Sequence, residues 1–216
     1  MANKKDLNFE TKVIHAGQKS DPTTGAVMTP IVLASTFEQS SPGVHKGYDY
    51  SRSINPTREA FENCIASLEN GVKGYGFSSG VAAISACIEL LSPGDHVIAM
   101  DDLYGGSVRL FNEIKTISQG IEVSYVDMTN VDNIKANLKE NTKMIFVETP
   151  TNPLLKVADL SKIARLAKAN KILTVCDNTF ASPFNQQPLD HGFDIVIHSA
   201  TKLSLIHISE PTRRDQ

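Results

Sequence analysis

The residues best equipped for chemistry lie late in the chain, in Asp194-Ile195-Val196-Ile197-His198-Ser199-Ala200-Thr201-Lys202. The apolar run predicts a short buried strand, and it leads directly into two hydroxyls and a lysine. An amine at the carboxyl end of a buried strand can attack a carbonyl carbon, and hydroxyls beside it can bind phosphate. That combination is what a pyridoxal phosphate enzyme needs. A lysine that ends a strand also keeps a charge in water and nothing more, so the reading depends on what else the chain brings to the same edge.

The elements that would position these groups are legible from residue 58 onward. Phe61, Cys64, Ile65 and Leu68 recur at helical spacing, and Asn70-Gly71 stops that helix. Strands are predicted at 73–77, 96–100, 122–126, 144–148, 172–177 and 194–198, with helices at 84–91, 108–117, 131–138 and 160–169 between them. Near-continuous apolar strands joined by helical crossovers imply an α/β fold, a mostly parallel sheet with helices on both faces. Ligands of such sheets sit beyond the carboxyl ends of the strands. The residues there are polar and varied: Ser78-Ser79-Gly80-Val81 at a helix start able to receive a phosphate, Asp101-Asp102-Leu103-Tyr104-Gly105-Gly106, Glu148-Thr149-Pro150-Thr151-Asn152-Pro153, and Asp177-Asn178-Thr179.

Residues 1–57 hold no sustained period and are punctuated by Pro22, Pro30, Pro42 and Pro56 with Gly17, Gly25, Gly43 and Gly47. They read as an extended arm. Within it, Tyr48 to Arg58 is dense in hydrogen-bond donors. It is either a polar loop turning at Asn55-Pro56 or a phosphate clamp.

Composition narrows the partners. At 216 residues the chain is worth about one and a half domains and could bury roughly 70% of its unfolded surface. Hydrophobic content of 41% and charged content of 21% are those of an ordinary globular protein. A net charge of −3 and a pI near 6.1 exclude the electrostatic footprint of nucleic-acid binding. Small molecules or copies of the same chain are the expected partners. Cys64, Cys87 and Cys176 read as reduced, buried core thiols of a cytoplasmic protein. The six histidines show no metal-ligand spacing, so no metal is expected. The first seven residues lack the apolar core of a secretory signal, and the run from Val81 to Leu91 is too short to span a bilayer. A rival reading comes from Gly74-Tyr75-Gly76 with Gly80 and Asp101, which loosely imitates the dinucleotide fingerprint of a nucleotide-binding oxidoreductase. Its spacing is one residue too long, and it leaves Asp177 and Lys202 unexplained.

Six of these stretches together carry a resemblance. Tyr50-Ser51-Arg52 with Asn55-Pro56-Thr57, Ser78-Ser79-Gly80, Leu103-Tyr104-Gly105-Gly106, Glu148 to Pro153, Asp177-Asn178-Thr179 and Ser199-Ala200-Thr201-Lys202 are similar, in order, to the Cys/Met-metabolism family of pyridoxal phosphate enzymes, from about Thr11 to Lys202. The resemblance implies the large domain of a fold-type I enzyme at 58–202, with arm 1–57 making inter-subunit contacts. It implies that Lys202 bonds the cofactor aldehyde and moves protons, that Asp177 pairs with the pyridinium nitrogen, and that Tyr104 stacks on the ring. Read from the residues alone, Tyr104 has the lesser alternative of a helix-start aromatic packed in the core. Ser79, Gly80, Val81, Ser199 and Thr201 would hold the phosphate, and Asn152 would lie near the ring oxygen and the substrate carboxylate. Tyr50 and Arg52 would reach the phosphate of a neighbouring subunit in a homodimer or homotetramer. Glu148 could be part of the site or a strand-end carboxylate bonded to its neighbours.

Within the family, Gly106 stands where methionine γ-lyases tend to carry cysteine, so the resemblance leans to the cystathionine γ-synthase and γ-lyase group. The implied activity is γ-replacement or γ-elimination on a homoserine ester or cystathionine, in sulfur amino-acid metabolism, with cystathionine β-lyase and methionine γ-lyase as alternatives. Residues 203–216 depart from the family pattern. They read as an artefactual tail on a chain truncated after the lysine, lacking the family's carboxyl-terminal domain and therefore expected to be inactive as written.

Overall fold

The computed structural model describes residues 7–203. The reading of the first six residues, and that of the tail past Leu203, lie outside the described residues. The chain divides into two compact units, Met1–Gly76 and Phe77–Gln216.

The first unit contains α1 (Phe9–His15), an antiparallel hairpin of β1 (Gln39–Ser41) and β2 (Val44–His45), and α2 (Pro56–Leu68). The sequence pattern gave no helix before 58 and no hairpin. The helix has 7 residues and the hairpin strands only 3 and 2, exposed throughout, so neither leaves a periodic apolar trace. Asn55 starts α2 by accepting the amides of Thr57 and Arg58, with Pro56 in the first helical position. The strand predicted at 73–77 does not form. Its backbone lies along α2 instead: Gly76 donates its N–H to Glu62 Oε1 at 2.8 Å, and a Cβ on Gly74 would stand 2.1 Å from the Glu62 carbonyl oxygen. The unit boundary therefore falls at Gly76, beyond the arm boundary of 57 read from the sequence.

The second unit is a five-stranded sheet, ordered β4-β3-β5-β6-β7, in which all four pairings are parallel. In chain order it runs α3 (Gly80–Ile88), β3 (His96–Met100), α4 (Gly105–Arg109), a π-helical turn (Leu110–Lys115), α5 (Thr116–Ser118), β4 (Glu122–Val126), α6 (Val131–Ala136), β5 (Thr142–Glu148), α7 (Leu160–Asn170), β6 (Leu173–Asp177), α8 (Ser182–Asn185), a 3-10 turn (Pro188–His191), β7 (Ile195–Ile197) and a second 3-10 turn (Ala200–Lys202). Every residue of β3 is buried, as is nearly all of β5, so both faces of the central strands are covered. Ile98, Met100, Met144, Ile145, Phe146 and Val175 fill the middle, with Phe111 edge-on to Phe146 at 5.3 Å.

α7 illustrates how the crossovers are specified. Asp159 caps it through the Lys162 amide, Leu160, Ile163, Ala164 and Ala167 make the buried stripe, and Lys171 ends it in the left-handed conformation at φ 57°. Of the cysteines, Cys176 is fully buried but Cys64 and Cys87 are only half-buried, which corrects the expectation of three core thiols. None of the three forms a disulfide, and burial raises the Cys64 and Cys87 thiols, Cys87 to about 11. Among the described residues no group of three His, Cys, Asp or Glu side chains could hold a metal, and no helix is long and apolar enough to cross a membrane.

Candidate active site

Parallel pairing gathers the carboxyl ends of all five strands on one edge. The chain leaves β3 outward to β4 and returns to the other side of β3 as β5, so the crevice between the ends of β3 and β5 is the topological switch point. Tyr104 follows β3 and Glu148 ends β5, and the Tyr104 N–H donates to Glu148 Oε2 across that crevice at 2.8 Å. Asp177 ends β6 directly opposite Glu148 in the register. Its side chain is buried, and Oδ1 accepts the Thr179 amide at 3.0 Å. Burial raises the Asp177 carboxyl, an effect partly offset by its bonds from Thr179 and by the nearby His198. Glu148 is pushed up to about 7, first by burial and then by the charges of Asp177 and Asp102, against the amides of Tyr104 and Asn152 that favour its ionised form.

The other wall is the start of α3. Ser79 caps the helix by accepting the Ala82 amide at 3.1 Å, which leaves the first-turn amides of Gly80 and Val81 without intrahelical acceptors. Gly80 lies so close to the end of β7 that a Cβ there would stand 2.9 Å from Ser199 Cβ. The Ser199 amide is itself held by Thr179 Oγ1 at 2.8 Å, and the Asn178 amide by the Ile197 carbonyl at 2.9 Å. Thr201 and Lys202 are exposed on the 3-10 turn that follows, one turn later than a strand running straight into the lysine would put them.

Asp102 and Lys156 organise the remaining loops. Asp102 Oδ2 accepts the Thr151 hydroxyl and, at 2.9 Å, the Leu154 amide, so the loop bearing Tyr104 is fastened to the loop bearing the exposed Asn152. Lys156 adds ion pairs to Asp101 at 2.7 Å and Asp127 at 3.4 Å. Asp102, Thr151 and Thr179 were not singled out as site residues from the sequence. Their only signal was position just past a strand end. Tyr50 and Arg52 lie in the first unit, where Arg52 Nη2 donates to Tyr50 Oη at 2.9 Å and the guanidinium stands 5.2 Å from the ring centroid.

The residues fit a phosphorylated ligand with a cationic ring. Unpaired helix amides beside serine hydroxyls, in a cradle that a Cβ on residue 80 would fill, suit a phosphate. A buried carboxylate whose charge burial disfavours suits a ring N–H that would restore it. That is the chemistry of a pyridoxal phosphate protein.

The chain belongs to the Cys/Met metabolism PLP-dependent enzymes, whose family model matches residues 10–205. It is 57% identical over 200 residues to the cystathionine β-lyase of Coxiella burnetii, covering 93% of this chain and 52% of the relative. It is 47% identical over 197 residues to the "Probable cystathionine gamma-synthase" of Herpetosiphon aurantiacus, covering 91% and 61%. The cystathionine γ-lyase of Lactobacillus plantarum, solved in complex with L-serine, superposes with a TM-score of 0.87 at 48% identity, over 90% of this chain and 51% of that one. The chain thus spans about half the length of the curated relatives it matches.

Proposed function

We propose that the protein makes or breaks a carbon–sulfur bond of a cystathionine-type amino acid, using pyridoxal phosphate. When bound, the cofactor supplies an electron sink for the substrate Cα. The observation that carries this reading is the meeting of Asp177, the α3 start and the Ser199 to Lys202 segment on one sheet edge. Lys202 would hold the cofactor through its aldehyde and, once the substrate amine has displaced it, its exposed amine would be the base that takes the Cα proton. Asp177 holds a proton on the ring nitrogen through a charge-assisted hydrogen bond. The amides of Gly80 and Val81 bind the phosphate with the hydroxyls of Ser79, Ser199 and Thr201. Tyr104 covers the ring face, Asn152 orients the substrate carboxylate, and Tyr50 with Arg52 completes the phosphate site of a neighbouring subunit in a homo-oligomer.

The reaction is γ-replacement or γ-elimination, or β-elimination. The β reading has its own support in the name of the Coxiella relative, at 57% identity. The γ reading has the "gamma-synthase" and γ-lyase names of the other two.

The test is to incubate the purified protein with pyridoxal phosphate, reduce with borohydride and map the adduct by mass spectrometry. The expected label is on Lys202, and it is absent from Lys202→Ala. A label on other lysines alone overturns the assignment. Supplied with cystathionine, the loaded protein distinguishes the reactions by product: pyruvate reports β-elimination and 2-oxobutyrate γ-elimination.

A further inference from the structure

Glu148 is the one buried carboxylate of this edge to which the proposed reaction gives no role. It ends β5 in register with Asp177 at the end of β6, and residues paired in this way project to the same face of the sheet. Its Oε2 takes the Tyr104 N–H at 2.8 Å. The groups around it come from every neighbouring element: Asp177 from β6, Asp102 from the segment after β3, and the amides of Tyr104 and Asn152, with His198 beyond Asp177. Tyr104 makes no side-chain cap to the helix it begins, and its ring is about half exposed, so the bond to Glu148 is what ties this residue to the sheet.

We infer that Glu148 is a positioning residue of the cofactor site: it anchors Tyr104 by the backbone, and its charge faces the same ring cation as Asp177. The inference rests on the pyridoxal phosphate reading above. Tyr104 need then not be placed by its own loop alone, because its backbone is tied to the end of β5, the strand paired in register with the one that ends at Asp177. The Asp177 charge raises Glu148, an effect that a bound cation would relieve.

Glu148→Gln and Glu148→Ala separate the two parts of this role. The glutamine oxygen still accepts the Tyr104 N–H but carries no charge, whereas alanine removes both. The readouts are the induced circular dichroism of bound pyridoxal phosphate in the visible, and the pH at which its absorbance changes. Glu148→Gln is expected to keep the dichroic band and to lower that midpoint by about one pH unit, since a negative charge near a protonated chromophore is lost. Glu148→Ala is expected to lose most of the band and to bind pyridoxal phosphate roughly tenfold more weakly. A residue with only a structural role would leave the Glu148→Gln midpoint where it is in the parent, and that result overturns the inference. So does an Glu148→Ala variant with the parent's band. Urea unfolding of each variant separates a misfolded alanine protein from a folded one with a displaced ring. If the parent itself forms no borohydride-stable adduct, the cofactor reading fails; if it does and the variants match it, the inference alone fails.

Discussion

The start of α3 approaches Ser199 closely at Gly80, and Gly80→Ala probes that approach directly. The new Cβ would stand 2.9 Å from Ser199 Cβ, 3.3 Å from its Cα and 3.4 Å from its Oγ. Ordinary carbon contacts begin at about 3.5–4.0 Å, so the start of α3 must withdraw by roughly 0.6–1 Å. The Ser199 backbone cannot give way cheaply, because its amide is bonded to Thr179 and its carbonyl to the Lys202 amide. Overpacking of this kind costs about 1–3 kcal/mol, of which up to about 1 kcal/mol is returned by the better helix propensity of alanine. Stability should therefore fall by no more than about 3 kcal/mol. Cofactor affinity should fall further, since the withdrawn amides are those proposed to hold the phosphate. Losing one hydrogen bond to a charged group costs about 1.5–3 kcal/mol, or roughly 10- to 150-fold in Kd. The assay is titration with pyridoxal phosphate followed by visible absorbance, beside urea unfolding of the unloaded protein. A Kd within about twofold of the parent would refute the reasoning, because the phosphate would then not depend on the Gly80 approach.

Gly106→Ala should act on the ring instead: a Cβ there would stand 2.4 Å from Tyr104 Cε1, so the half-exposed ring turns aside, altering the visible dichroism of the bound cofactor while unfolding stability stays level or rises by up to about 1 kcal/mol. His96→Ala is the opposite case, at the amino edge of the sheet. The buried ring bridges Thr142 Oγ1 at 2.8 Å and Ser124 Oγ at 2.9 Å, so its loss should cost about 2–4 kcal/mol by urea unfolding without changing the affinity of the folded protein for pyridoxal phosphate. Glu148, raised to about 7 by burial and by Asp177 and Asp102, contributes stability that is fully present below the pH where it titrates in the unfolded chain and is lost as pH rises through 7. Unfolding of the unloaded protein measured from pH 4.5 to 8 should show this decline, on the order of 2 kcal/mol after screening, and Glu148→Gln should flatten it.

Where the chain's own apolar pattern dictates structure, the sequence was a sufficient guide. β3, β5 and β6 were legible because parallel strands buried on both faces must be apolar along their length, and α7 because its stripe is regular. The stretch at 73–77 misled because glycines and aromatics there resemble a strand, while the reason for Gly74 is a carbonyl of α2 that only the folded chain brings near. The π-helical turn at Leu110–Lys115 changes the backbone bonding from i→i+4 to i→i+5, a step that no residue type within it announces. Strand-end polar residues pointed to Tyr104, Asp177 and Lys202. The partners that fasten the loops, Asp102 on Thr151 and Thr179 on Ser199, are 49 and 20 residues apart, and no local spacing announces them.

The meeting of Gly80 with Ser199 also sets an order in time. The two residues are separated by 119 positions, so the cradle at the start of α3 is one of the most non-local features of the unit and cannot close until β7 has been added at the sheet's edge. On a ribosome elongating at about 5–20 residues per second, roughly 6–24 s pass between the synthesis of one wall and that of the other. During that interval β3 to β6 can assemble, but no phosphate can be gripped. Cofactor capture at the proposed site would thus be a late event in the biogenesis of this unit, a latch on β7 rather than a seed for β3.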